Sequence, residues 1–117
     1  MIKAKIYREK TKQDKEKIKG FIVMGHAGND EYGRDLVCAG VSAIVQTALL
    51  GLDKYLSNKL ICKINTDGLV ECWLSEGISA EEEGKAQVIL HTLEMGLLSI
   101  EESYGSYLKV SKRRWTK

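Results

Sequence analysis

Ile2, Ala4 and Ile6 alternate with Lys3, Lys5 and Tyr7, the period-two pattern of a strand with one buried face. The charged stretch REKTKQDKEKIK that follows reads as an exposed connection. Gly20 to His26 (GFIVMGH) is a continuous apolar run too short for a helix, which predicts a central strand ending at His26. From Leu36 to about Leu56 apolar residues recur at helical spacing, with Asp35 before them as candidate N-cap. This helix is apolar almost all round, so both its faces should be covered, one by its own sheet and the other by a second copy of the chain. A homodimer is the expected assembly.

Leu60 to Ile64 and Leu69 to Leu74 flank Asn65-Thr-Asp-Gly68, a hairpin signal. A loop of Thr66, Asp67 and Gly68 puts Cys62 opposite Cys72. Ser79-Ala-Glu-Glu82 is a capping box that opens a second helix running to about Ser103. Ala86, Ile89, Leu90, Leu93, Leu97 and Ile100 give that helix its apolar face, and His91 falls off the stripe as a partly exposed residue. Tyr107 to Val110 reads as a last strand before a basic tail. The order is β-β-α-β-β-α-β, an α+β domain over residues 1–117 with two helices packed on a mixed β-sheet.

A chain of 117 residues has room for one core, which limits any active site to one face or a subunit boundary. The opening MIKAKIYREK has no apolar signal region, which favours a cytoplasmic home. Leu36 to Leu52 runs seventeen residues without a charge, but it sits at the short limit for spanning a bilayer and reads as a core helix, with no membrane partner. Three cysteines at irregular spacing argue against a disulfide framework. The Cys62–Cys72 pair could form a disulfide or half a metal site, yet no metal-ligand spacing supports it and core packing is the safer assignment. Net charge is only +2, but residues 1 to 20 carry eight bases against three acids and 109 to 117 carry five against none. Both termini are basic and the middle is acidic; solvated strand ends explain this, and a patch tolerating RNA would if the two ends met in one sheet.

The chemistry concentrates in GHAGNDEYGRDLVC, residues 25 to 38. If Asp35 caps the helix, Cys38 falls in its first turn, where free N–H groups and the positive end of the dipole stabilise a thiolate and can serve an oxyanion. His26 lies twelve residues upstream, and a loop of that length closes at modest entropic cost. A Cys-His pair within reach is the minimum for nucleophilic catalysis, the imidazole taking the thiol proton and returning one to the leaving amine. Gly25 would let substrate backbone pass close to the ring; Ala27, Gly28 and Gly33 belong to the same loop, whose glycines suit a segment that reorders on binding. Asp35 either caps the helix or orients His26, and capping is preferred because a carboxylate beside the thiol opposes its ionisation. Ser42, one turn beyond Cys38, lines the pocket or bonds back to its own helix. Residue types alone leave a second reading open, since a lone Cys in an apolar helix is more often packed core than nucleophile.

Gly25-His26-Ala27, Gly33, Asp35, Val37-Cys38-Ala39 and Val41-Ser42-Ala43 closely resemble the signature of the bacterial ribosomal-processing cysteine protease family, and the likeness extends over essentially the whole chain. The resemblance implies a homodimeric cysteine protease without metal or organic cofactor. It implies Cys38 as nucleophile, His26 as its acid/base partner, and a mobile glycine-bearing loop that orders over bound peptide. The implied substrate is the N-terminal extension of large-subunit ribosomal protein number twenty-seven, removed during ribosome biogenesis. The alternative is a non-catalytic ribosome-assembly or RNA-binding module using the basic termini, notably Lys112-Arg-Arg114; direct RNA contact is left open.

Overall fold

A computed structural model describes residues 1–25, 32–57, 60–65 and 68–116, with residues 32–35 described by their backbone. The elements are β1 (Ile2–Lys10), β2 (Glu16–Met24), α1 (Tyr32–Tyr55), β3 (Leu60–Asn65), β4 (Leu69–Leu74), α2 (Ala80–Tyr104) and β5 (Leu108–Arg114), in the order expected. The five strands form one mixed sheet, β3-β4-β2-β1-β5, in which β5 runs parallel to β1 and the other neighbours are antiparallel.

Two charged stretches differ from the pattern-based reading, and β2 ends at Met24, short of the expected end. The charged stretch after Tyr7 is no loop: β1 continues to Lys10 and β2 starts at Glu16, so only residues 11–15 connect them. Strands can carry charge here because one face of the sheet has no helix over it. For the same reason the basic segment after Val110 is not a tail but the continuation of β5 to Arg114. The ladder between β1 and β2 slips between Tyr7 and Arg8, leaving Lys19 as the extra residue of a bulge. Gln87 of α2 serves the backbone beside this bulge, its Oε1 accepting from Ile18 N–H and its Nε2 donating to Ile18 C=O, each at 2.8 Å.

Both helices cover one face of the sheet. Ile2, Ala4, Ile6, Ile18, Phe21, Val23, Cys72, Leu74 and Leu108 meet Val37, Val41, Val45, Leu52, Ala86, Leu90, Leu93 and Leu97 in the core. Each large side chain fully buried here stabilises the fold by about 1.5–3 kcal/mol. The helices approach each other where a glycine faces an isoleucine: Gly51 meets Ile89, and Gly96 meets Ile44. The capping box forms as the sequence predicts, with Glu82 N–H donating to Ser79 Oγ at 3.1 Å and Ser79 N–H to Glu82 Oε1 at 3.2 Å. His91 is exposed, its Nδ1 2.8 Å from the Gln87 carbonyl.

The expected pairing of Cys62 with Cys72 is present. Core packing holds for Cys72 but fails for Cys62, which lies exposed on β3, the edge strand. Burial, reinforced by the neighbouring Cys62, pushes the Cys72 thiol far above the ordinary value of 9.0.

Candidate active site

Helix α1 begins at Tyr32, four residues before the expected start at Leu36. Asp35 is therefore not the N-cap, Gly33 is helical rather than part of a loop, and Cys38 is the seventh residue of the helix rather than its third. This removes two physical arguments. The dipole effect fades within the first turn. The amides left without helical partners are those of the first four positions, so the Cys38 amide is not a ready oxyanion donor.

Cys38 is half-buried and its thiol is free. It borders a cavity of about 200 Å³ between the exit of β2, the second and third turns of α1 and the turn end of the β3–β4 hairpin. Ser42 borders it too, one helical turn on, as the spacing predicts. Ile2, Val23, Val41, Val45, Leu69 and Val70 give it apolar walls, and Gln46 and Asn65 add polar groups.

Gly25, at the end of β2, also borders this cavity. Its φ is +101°, a conformation that favours glycine, and a Cβ there would come within 2.4 Å of the Met1 carbonyl oxygen. The missing side chain thus makes room for the start of β1, in place of the expected role beside substrate. His26, Ala27 and Gly28 lie outside the described residues. So does the side chain of Asp35.

Sequence reasoning did not find the hairpin's contribution. Asn65, Gly68, Leu69 and Val70 reach the site because β4 pairs with β2, Met24 opposite Leu69, which brings the hairpin turn beside Gly25. No local signal carries this, since it depends on strand order. A larger cavity of about 530 Å³ lies between the outer sides of α1 and α2, lined by Ile44, Thr47, Tyr55, Val88, Ile89 and other apolar groups. No cysteine lines it, so size does not locate a thiol chemistry. Among the described residues, no three His, Cys, Asp or Glu side chains converge as metal ligands.

Known proteins resemble this chain over nearly its whole length. A ribosomal processing cysteine protease Prp of Bacillus subtilis is 33% identical over 112 residues, covering 95% of this chain and 96% of that protein. Its counterpart from Staphylococcus aureus is 32% identical over 104 residues, covering 86% and 92%. The crystal structure of a Staphylococcus aureus ribosomal processing protease Prp with a covalently linked product peptide superposes with a TM-score of 0.74 at 25% identity, covering 97% of this chain and 100% of that one. The sequence model of the cysteine protease Prp family matches residues 1–109. With its fold and nearly its whole length accounted for in this way, the chain belongs to the Prp family of cysteine proteases.

Proposed function

We propose that this protease removes the N-terminal extension of large-subunit ribosomal protein number twenty-seven during ribosome biogenesis, acting in the cytoplasm as a homodimer. Relatives carry ribosomal processing in their names, and one was crystallised with a covalently linked product peptide. Cys38 is the nucleophile and His26 its acid/base partner. The observation that carries this reading is that Cys38 and Gly25, the residue bonded to His26, border the same cavity. Cys62 and Cys72 do not border it.

The imidazole takes the thiol proton, and Sγ attacks the carbonyl carbon of the scissile bond to give a tetrahedral oxyanion. As the C–N bond breaks, His26 returns the proton to the leaving amine and a thioester remains on Cys38. A water, losing its proton to His26, hydrolyses the thioester and regenerates the thiol. Ser42 borders the cavity and supplies a hydroxyl that can hydrogen-bond the peptide. Of the two roles expected for Asp35, orienting His26 is the one left open to it, since a residue inside α1 is not its N-cap. The apolar walls suit an aliphatic and aromatic extension, and the acidic middle of the chain attracts a basic ribosomal protein.

Incubating the extended ribosomal protein with this chain and with its Cys38→Ala variant, then weighing the products by mass spectrometry, tests the reading. Cleavage by the parent and none by the variant is expected. Equal cleavage by both removes the thiol from the mechanism.

A further inference from the structure

The sheet has a second face that neither helix covers. Its side chains follow from the register: Lys3, Met24, Leu69 and Asn65 form one row across β1, β2, β4 and β3. Lys5, Ile22, Glu71 and Lys63 form the next, continued on β5 by Ser111. Arg113, Tyr7, Gly20, Trp73 and Ile61 form a third. The parallel pairing of β1 with β5 thus brings the two basic ends of the chain side by side.

Two features of this face are built rather than incidental. Gly20 carries no side chain, and a Cβ there would stand 2.5 Å from Trp73 Cε3 and 2.3 Å from the Cys72 carbonyl oxygen. The indole therefore lies across β2 and meets Tyr7, with ring centroids 5.0 Å apart and planes at 60°. Both rings remain half-exposed. Around them, Lys3, Lys63 and Arg113 are exposed and Lys5 half-exposed, and none has an ion pair among the described residues. Among the described residues, Glu71 in the second row and Glu9 at the end of β1 are engaged: Glu71 accepts from Trp73 Nε1 at 2.8 Å, and Glu9 lies 3.6 Å from Lys17 Nζ.

We propose that this open face is a docking surface for single-stranded RNA, with bases stacking on Tyr7 and Trp73 and phosphates meeting Lys3, Lys5, Lys63 and Arg113. Unpaired cations around exposed aromatic rings suit a strand whose backbone is a polyanion and whose bases are free to stack. Duplex RNA offers no free base faces to the rings. The peptide cavity takes Ile2, Val23 and Val70 from the opposite face and reaches this one only at Leu69 and Asn65, two rows away from Tyr7 and Trp73, so RNA on the rings and peptide in the cavity can be held together. The surface stands apart from the cleavage chemistry and does not depend on the identity of the protein substrate.

Fluorescence anisotropy with a labelled oligouridylate of about 12 nucleotides, against a duplex of equal length, tests this at about 50 and about 200 mM KCl. Single-strand binding that weakens steeply with salt is expected. The double variant Lys5→Gln/Arg113→Gln should lose about tenfold or more in affinity and flatten the log–log salt slope by about 1.4, two phosphate contacts. Trp73→Leu should weaken binding about tenfold, one base stack, and leave that slope unchanged. All three proteins should cleave peptide alike, while Cys38→Ala should abolish cleavage and leave RNA affinity intact. No binding at the lower salt, equal binding of duplex, or unchanged affinity in the lysine/arginine double variant would overturn the proposal. So would a change of oligomeric state in those variants, which would mark the face as an interface between copies.

Discussion

Cys38 gains nothing from the end of α1, because four residues that resembled loop and cap, Tyr32 to Asp35, are helical and carry the thiol into the second turn. Tyr32-Gly33-Arg34 holds no start signal, and helix propensity is too weak a prior to show that the helix extends through it. What remained legible was chemical identity: a thiol and, one bond beyond Gly25, an imidazole. The three thiols differ in access, Cys62 exposed, Cys38 half-buried and Cys72 buried. Iodoacetamide followed by peptide mapping should label Cys62 and Cys38 and spare Cys72 until the chain unfolds; Cys62→Ser should keep full activity. The raised Cys72 ionisation has a definite sign. The folded state holds the thiol proton more tightly than the unfolded state, so stability is fully present below about pH 9 and declines as pH rises beyond it. Thermal melts from pH 7 upward should show that decline, and Cys72→Ala, though less stable throughout, should lose the part of the slope that begins near the thiol's ordinary value. Gly25→Ala, forced against the Met1 carbonyl at positive φ, should destabilise the fold by about 1–3 kcal/mol and depress cleavage more than melting alone explains.

At the scale of elements, short-range signals performed well and burial-based ones less so. The capping box and the Asn65–Gly68 hairpin are written within a few residues, and the observed pairs are those expected. The charged halves of β1, β2 and β5 were unreadable as strands because they lack an apolar stripe and the groups that neutralise their charges lie on remote elements, although β1 and β2 pair locally across residues 11–15. Arg8 shows why: its Nη2 donates to both carboxylate oxygens of Glu94, at 2.5 and 2.7 Å, across 86 residues. Both side chains are largely withdrawn from solvent. Removing one partner leaves an uncompensated buried charge, so Glu94→Ala should cost about 3–5 kcal/mol in urea denaturation. The double variant Arg8→Met/Glu94→Leu should recover most of that loss. Ser79→Ala should cost about 1 kcal/mol, through the lost cap alone.

For the whole molecule, element order was legible and strand order was not. Periodicity marks the strands but carries no information on which edge each one joins. That order matters to function, because β2 beside β4 assembles the cavity wall and β5 beside β1 gathers the basic ends. The expectation that α1 needs cover on both sides rested on its composition. Within one chain only one side is covered: Leu50 of α1 stands 72% exposed, and Val88 of α2, which lines the groove between the helices, 68%. The homodimer reading predicts that Leu50→Lys/Val88→Lys converts a dimer to a monomer in sedimentation equilibrium; a monomeric parent would refute it.

The most direct test of the cysteine mechanism is to mix the enzyme with excess extended substrate, quench in acid within the first turnover, and map the adduct. The account predicts a thioester-linked substrate fragment on the peptide that contains Cys38, lost in Cys38→Ala and formed far more slowly in His26→Gln. A fragment attached to Cys62, or full cleavage with no adduct in the absence of the Cys38 thiol, would contradict it.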